Sequence, residues 1–218
     1  MGDALFSING ENVQTLEIIV LLTLISLTPS ILIMTTSFAR ILIVLAIFRN
    51  ALGLQSNPPN MVLVSIALFL TLFVMSPVID EIHRDAYTPY VEQEITQFEA
   101  IDRAQIPMKE FMLANTKMDS LNMFLEFAGI EAPENELELP MRIVIPSFMT
   151  SELSRAFVMG FLLYIPFLVI DIVVASTLMS MGMIMLPPVM ISLPFKVLLF
   201  VIVNGWDMLF MTLVGSFN

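Results

Sequence analysis

The 218-residue chain contains no cysteine and a single histidine, His83. The first absence excludes disulfides, thiolate metal sites and a cysteine nucleophile. The second excludes a multi-histidine centre within one chain, so no metal site is expected. Charge is scarce as well: Asp, Glu, Lys and Arg make up 13% of the residues, where a soluble domain carries about 25%. Nine bases stand against twenty acids, a net charge of −11. An acidic chain is a poor partner for nucleic acid, because phosphate binding needs a basic surface. No Gly-rich phosphate loop and no Ser/His/Asp arrangement can be traced, so the chain does not read as an enzyme and implies no cofactor. The start, Met1-Gly2-Asp3-Ala4, lacks the basic stretch and small-residue cleavage site of a signal peptide. Two readings follow: no such peptide, or a chain that begins after its removal.

What the chain has in abundance is apolar sequence, 57% of its residues. Four runs stand out: Leu16 to Phe48, Met61 to Ile79, Ala156 to Leu186 and Val189 to Phe217. Runs of this length place the chain among helical membrane proteins, since about 20 apolar residues cross a bilayer. The first run is too long for one straight crossing, which predicts a kink at Pro29 or a tilt. The expected fold class is all-α, a membrane-associated protein of helical hairpins with four long apolar helices and a small extracytoplasmic helical domain. The expected divisions are an N-terminal segment 1–15, a first hairpin 16–79, a polar domain 80–155 and a second hairpin 156–218.

The polar domain holds 15 of the 20 acids and 6 of the 9 bases, a net charge of −9. The short turn 49–60 carries Arg49 and no acid, so the positive-inside bias puts that turn in the cytoplasm and the polar domain outside it. Within the polar domain, Phe111, Ala114, Met118, Leu121, Leu125 and Ala128 step by three and four. That spacing predicts one helix with an apolar stripe, opened near Pro107 and closed before Gly129. An earlier helix is expected from Thr88-Pro89, carrying Val91, Ile95 and Phe98. Left in water, the stripe would expose Phe111 and Phe124, so both are candidate inter-subunit contacts.

Two double prolines, Pro58-Pro59 and Pro187-Pro188, are each followed two residues later by methionine and then by an apolar run. They read as the tips of the two hairpins. Between the third and fourth runs, "MSMGMIMLPPVM" (179–190) puts methionine at every second position up to 185. Spacing by two does not stack side chains on one helix face. Three readings compete: a soft-ligand Cu(I) site, plain packing or lipid contact, and a deformable gasket contributed by several subunits. In the gasket, adaptable thioethers close a pore, Gly182 lets the backbone leave helical geometry, and Pro187-Pro188 stop the helix from continuing.

Arg40, Asp171, Lys196 and Asp207 lie inside apolar runs, where each charge costs about 2.5–3.5 kcal/mol at a bilayer centre. They read as inter-helix or inter-subunit pairs, or as a proton or ion relay. Glu152 sits where the polar domain meets the third run, either as a contact to a neighbouring subunit or as an ordinary acid near a helix N-terminus.

The segments "MTTSFARILIVLAIFRNALGLQSNPPN" (34–60), "ALFLTLFVMSPVID" (67–80) and "GFLLYIPFLVIDIVVASTLMSMGMIMLPPVMISLPFKVLLFVIVNGWDML" (160–209) closely resemble the FliP family of flagellar export-gate proteins, related to the SctR proteins of virulence type III secretion. The resemblance implies a non-enzymatic pore subunit that forms a ring, thought pentameric, with FliQ and FliR. It implies FlhB and FlhA as further partners, unfolded flagellar proteins as export substrates, and a place in the bacterial inner membrane and flagellar basal body, largely towards the periplasm. It places the methionine-rich pore loop on Met183, Ile184 and Met185, flanked by Met181 and Gly182, with isoleucine where some relatives carry methionine. It favours a trimmed N-terminus, since many relatives carry a cleavable signal peptide. It also implies that the four apolar runs pack largely on other subunits, with lipid on part of their surface. The rival readings are a proton or small-solute transporter built on Asp171, Lys196 and Asp207, and a Cu(I)-handling membrane protein.

Overall fold

In a computed structural model of the protein, residues 6–8, 11–13, 15–54, 56–183 and 185–217 are described. Apart from a short ribbon in which β1 (Phe6–Ile8) runs antiparallel to β2 (Glu11–Val13), they are helical or in turns. The helices are α1 (Thr15–Thr35), α2 (Phe38–Ala51), α3 (Asn60–Ile82), α4 (Thr88–Val91), α5 (Gln97–Ala114), α6 (Met118–Ala128), α7 (Met141–Ser180), α8 (Pro188–Ile202) and α9 (Gly205–Gly215). A π-helical turn, His83–Tyr87, joins α3 to α4, and a 3-10 turn, Glu136–Glu138, precedes α7.

Two helical stretches, Asn60–Val91 and Met141–Ser180, are long and apolar enough to cross a membrane. The count rises to four if each of two bent pairs is one span: Leu21–Thr35 with Phe38–Ala51, bent by 73°, and α8 with α9, bent by 68°. The breaks do not fall where prolines suggest. Helix α1 continues through Pro29, and the chain turns at Thr36-Ser37. There the Thr35 and Thr36 hydroxyls donate to the Ile31 and Leu32 carbonyls at 2.9 and 2.6 Å. Such back-bonding loosens and bends a helix end. The α8–α9 break is at Val203-Asn204, where Asn204 takes a left-handed backbone (φ 50°).

The double prolines do start helices. Pro59 occupies the N-cap of α3, and Pro187 that of α8 with Pro188 in the first helical position, where a missing N–H costs nothing.

The polar domain departs from the single striped helix in one respect. Pro107 lies inside α5, and the chain breaks at Asn115–Lys117 before α6 begins. The Asn115 amide donates to the Phe111 carbonyl at 3.0 Å, and the Ser151 hydroxyl accepts the Lys117 backbone N–H at 2.9 Å. Side chains thus take over the backbone groups that an unbroken helix would pair internally. The earlier helix is also shorter than expected: α4 ends at Val91, and α5 opens afresh behind a capping box between Thr96 and Glu99.

Two apolar cores result. The first is centred on α2, whose Phe38, Ile41, Val44, Leu45 and Phe48 pack against Leu63 and Ala67 of α3, Ala156 and Phe167 of α7, and the α8–α9 pair. The second joins Met112 of α5, Leu121 and Leu125 of α6, and Ile143, Val144 and Phe148 of α7. Each large side chain fully buried in them contributes about 1.5–3 kcal/mol. Helix α7 runs unbroken through both, so the boundary expected at 155/156 falls inside one helix. Its approach to α2 is close at Gly160, where a Cβ would lie 2.5 Å from Ile47 Cδ1.

Candidate functional site

The methionine segment forms the tip of the α7–α8 hairpin. Helix α7 ends in a Schellman turn: Gly182 takes φ 77°, its N–H donates to the Met179 carbonyl at 3.1 Å, and the Met183 N–H donates to the Leu178 carbonyl at 3.0 Å. The left-handed conformation at the second position of this motif favours glycine. The turn throws the chain sideways, and Pro187 restarts it as α8. The tip's side chains are turned outward: Met181 is 65% exposed and Met185 98%, while Met183 is half-buried. Ile184 lies outside the described residues.

Behind this tip is a buried ionic clasp. Lys196 on α8, 1% exposed, donates to Asp171 Oδ2 on α7 at 2.7 Å and to the Ala51 carbonyl at the end of α2 at 3.0 Å. The Ser192 hydroxyl donates to Asp171 Oδ1 at 2.5 Å. Each residue has a local reason to be there. Ser192 and Lys196 are four apart and share one face of α8. The ammonium sits on the negative end of α2, where a cation is favoured. The neighbouring turn is held close: Gly53 (φ 81°) leaves its missing Cβ 3.6 Å from Val189 and 3.7 Å from Leu193. The clasp therefore fixes the start of α8, and with it one end of the methionine loop, onto the tip of the first hairpin.

At the other end of α2 is a second buried pair. Arg40 and Glu152, 1% and 0% exposed, form a two-pronged ion pair, with Nε 2.8 Å from Oε2 and Nη2 on Oε1. Arg40 Nη1 also donates to the Ser216 carbonyl and hydroxyl at 2.8 and 2.9 Å, and Nη2 to Asn115 Oδ1 at 3.4 Å. The Phe217 ring covers the guanidinium at 3.7 Å, a cation–π contact. One side chain thereby ties α2 to α7, to the α5–α6 break and to the C-terminal turn.

Of the charges singled out in the sequence, Arg40, Glu152, Asp171 and Lys196 thus find partners within the chain. Asp207 is exposed, with no hydrogen bond or ion pair among the described residues. Phe111 is half-buried against Phe148 (5.9 Å between ring centres) and Phe217 (6.2 Å), and Phe124 is half-buried beside Phe127 at 5.9 Å. The outward phenylalanines of the polar domain are instead Phe98, 81% exposed, and Phe127, 74% exposed. Sequence reasoning missed Ser192, Asn115, Ser216 and Phe217. For Ser192 the spacing of four to Lys196 was an available signal; the other three are brought in by tertiary contacts that local sequence does not carry. Among the described residues no three His, Asp or Glu side chains converge as metal ligands.

Apolar helices long enough to cross a bilayer, charges paired in their interior and a charged helical domain define an all-α membrane protein. Its sequence is similar throughout to flagellar proteins. The FliP family profile matches residues 21–213. The flagellar biosynthetic protein FliP of Bacillus subtilis (strain 168) is 50% identical over 212 residues, covering 97% of this chain and 96% of the relative. The proteins of the same name from Aquifex aeolicus (strain VF5) and Caulobacter vibrioides are 48% identical over 211 residues and 50% over 209, covering 96% of this chain and 88% and 79% of those relatives. The chain belongs to the FliP family of flagellar biosynthetic proteins.

Proposed function

We propose that this chain is a pore subunit of a flagellar type III protein export gate in the inner membrane, directed towards the periplasm. Several copies, five in our reading, form a ring with FliQ and FliR and dock to FlhB and FlhA. Unfolded flagellar proteins pass through it. The observation that carries this reading is the hairpin tip: a tight, glycine-ended loop leaves Met185 almost without cover and Met181 largely exposed, although apolar side chains at such exposure need a partner. Converging round an axis, these side chains would exclude water and ions from the constriction. The flexible thioethers would flatten against many passing sequences. Exposed apolar residues on α3, α7 and α8, including Phe69, Phe73, Phe157, Phe161 and Phe195, supply surface for neighbouring subunits and lipid.

The experiment is a conductance measurement on the assembled complex. Met183→Ala with Met185→Ala should leak ions while export survives in part, and tryptophan at both positions should impair export more than closure. An alanine variant that seals as tightly as the parent overturns the gasket. A transporter built on Asp171 and Lys196 would instead show ion flux from this chain alone, abolished by Asp171→Asn.

A further inference from the structure

Next to the Lys196 clasp, and lined by Leu52 and Val197 beside it, is a cavity of about 450 Å³ formed by the end of α2, the double-proline turn and the α8–α9 break. Leu45, Phe48, Leu52, Leu63, Phe200 and Trp206 are among its apolar walls. Its polar lining includes one cation, Arg49, and one acid, Asp207. Arg49 Nη1 donates to the Pro58 carbonyl at 3.3 Å and to Asn60 Oδ1 at 2.5 Å, yet its Nε is buried with no partner among the described residues. A buried donor left without an acceptor calls for an explanation. Asp207 is equally without a counter-charge among the described residues.

We propose that this cavity binds one phosphatidylethanolamine molecule, with its phosphate on Arg49, its ammonium on Asp207 and part of an acyl chain along the apolar walls. The charge pair selects this occupant. An anionic headgroup would satisfy Arg49 but confront Asp207, and a cationic amphiphile would do the reverse. A zwitterion with N–H donors satisfies both, and the guanidinium fork suits a phosphate. The depth is right as well: Arg49 begins the turn at the tip of the first hairpin, and Trp206 stands at the α8–α9 break, a residue type enriched where bilayer meets water. A cavity of this size with apolar walls and a few convergent polar groups has the ordinary make-up of a ligand site. The proposal needs only the membrane setting of the chain and is independent of the gasket.

The test is native mass spectrometry of the full-length protein in mild detergent, with phosphatidylethanolamine, phosphatidylglycerol or phosphatidylcholine added at matched concentration. The parent should retain phosphatidylethanolamine several-fold over the other two. Asp207→Asn, which breaks no side-chain hydrogen bond or ion pair among the described residues, should erase the preference over phosphatidylglycerol. Arg49→Gln should lower retention of both, whereas Arg49→Lys, which keeps the charge, should preserve much of it. Equal retention of all three lipids, an unchanged preference in Asp207→Asn, or lipid-free oligomers in which a second copy fills the cavity would each overturn the proposal.

Discussion

The two ends of α2 hold buried ion pairs of different construction. At the polar-domain end, Arg40 and Glu152 are both sealed, and the guanidinium is shared with Asn115, Ser216 and Phe217. At the hairpin end, Lys196 is sealed but Asp171 stays 23% exposed, and its one other partner among the described residues is a hydroxyl one α-helical turn from Lys196. The first joint knits four parts of the chain and tolerates no displacement without stranding a charge. The second joins two hairpin tips and keeps one carboxylate within reach of water, so it can open at lower cost. Rigidity is thus placed at the polar domain and compliance beside the methionine loop.

The largest effect should come from breaking the sealed joint. Glu152→Gln leaves a buried guanidinium without its counter-charge and should cost about 3–5 kcal/mol, read as a fall in thermal stability in detergent. Replacing the pair together, Arg40→Met with Glu152→Leu, should recover most of that loss, because a buried pair of charges exchanges for apolar groups at little net cost. If the single and double variants unfold alike, the joint is not held by charge.

Next comes the packing around the compliant end. A Cβ at Gly205 would lie 1.9 Å from two atoms of the Phe200 ring and 2.8 Å from its Cγ, and that ring packs on Phe48 (5.0 Å) and Trp206 (5.4 Å). Gly205→Ala should therefore cost about 3 kcal/mol, the top of the range for overpacking. Asp171→Asn should cost less, about 1.5–2 kcal/mol, the loss of a hydrogen bond to a charged group. Its larger signature should be faster amide exchange in residues 188–192 with the polar domain unchanged. Equal destabilisation at 152 and 171 would erase the distinction between the two joints.

The smallest effect lies outside both. Hydrogen bonds from the Thr96 backbone N–H and hydroxyl hold the exposed Glu99 carboxyl below the usual carboxylate range. A depressed folded value means the cap stabilises fully above the ordinary carboxylate range and fades as pH falls through that lowered value. Amide exchange at residues 97–100 should quicken in acid, and Glu99→Gln should flatten that pH dependence.

The apolar runs, the acidic insert, the helix starts at Pro59 and Pro187 and the stop at Gly182 were legible in the sequence, because each rests on local chemistry: hydropathy, proline φ, glycine's left-handed freedom. The breaks at Thr36-Ser37 and Asn204 were not. Pro29, the obvious breaker, sits in a helix that continues, while hydroxyls and one asparagine decide the bends. The charge pairs were hidden for another reason. Arg40 and Glu152 are 112 residues apart, and no rule of spacing says that they meet. Of the two readings, inter-helix or inter-subunit pairs, Arg40, Glu152, Asp171 and Lys196 follow the first and are matched inside one chain, and much of Phe111 is covered there too. Among the charges singled out in the sequence, Asp207 finds no match among the described residues.

Helix α7 has one further consequence. At 40 residues and 1.5 Å of rise each, it is a rod of about 60 Å, roughly twice the hydrocarbon thickness of a bilayer. Wherever the lipid sits along it, a length comparable to a whole membrane overhangs into another phase. From Phe157 onward that rod carries exposed large apolar side chains at 158, 161, 162, 165, 168, 169, 172 and 173, with no polar half to turn towards water. The overhang is clothed within the chain: Ile143, Val144 and Phe148 at its start are buried against Met112, Leu121 and Leu125 of the polar domain. One helix is thus both a bilayer-length apolar rod and the spine on which the polar domain is built.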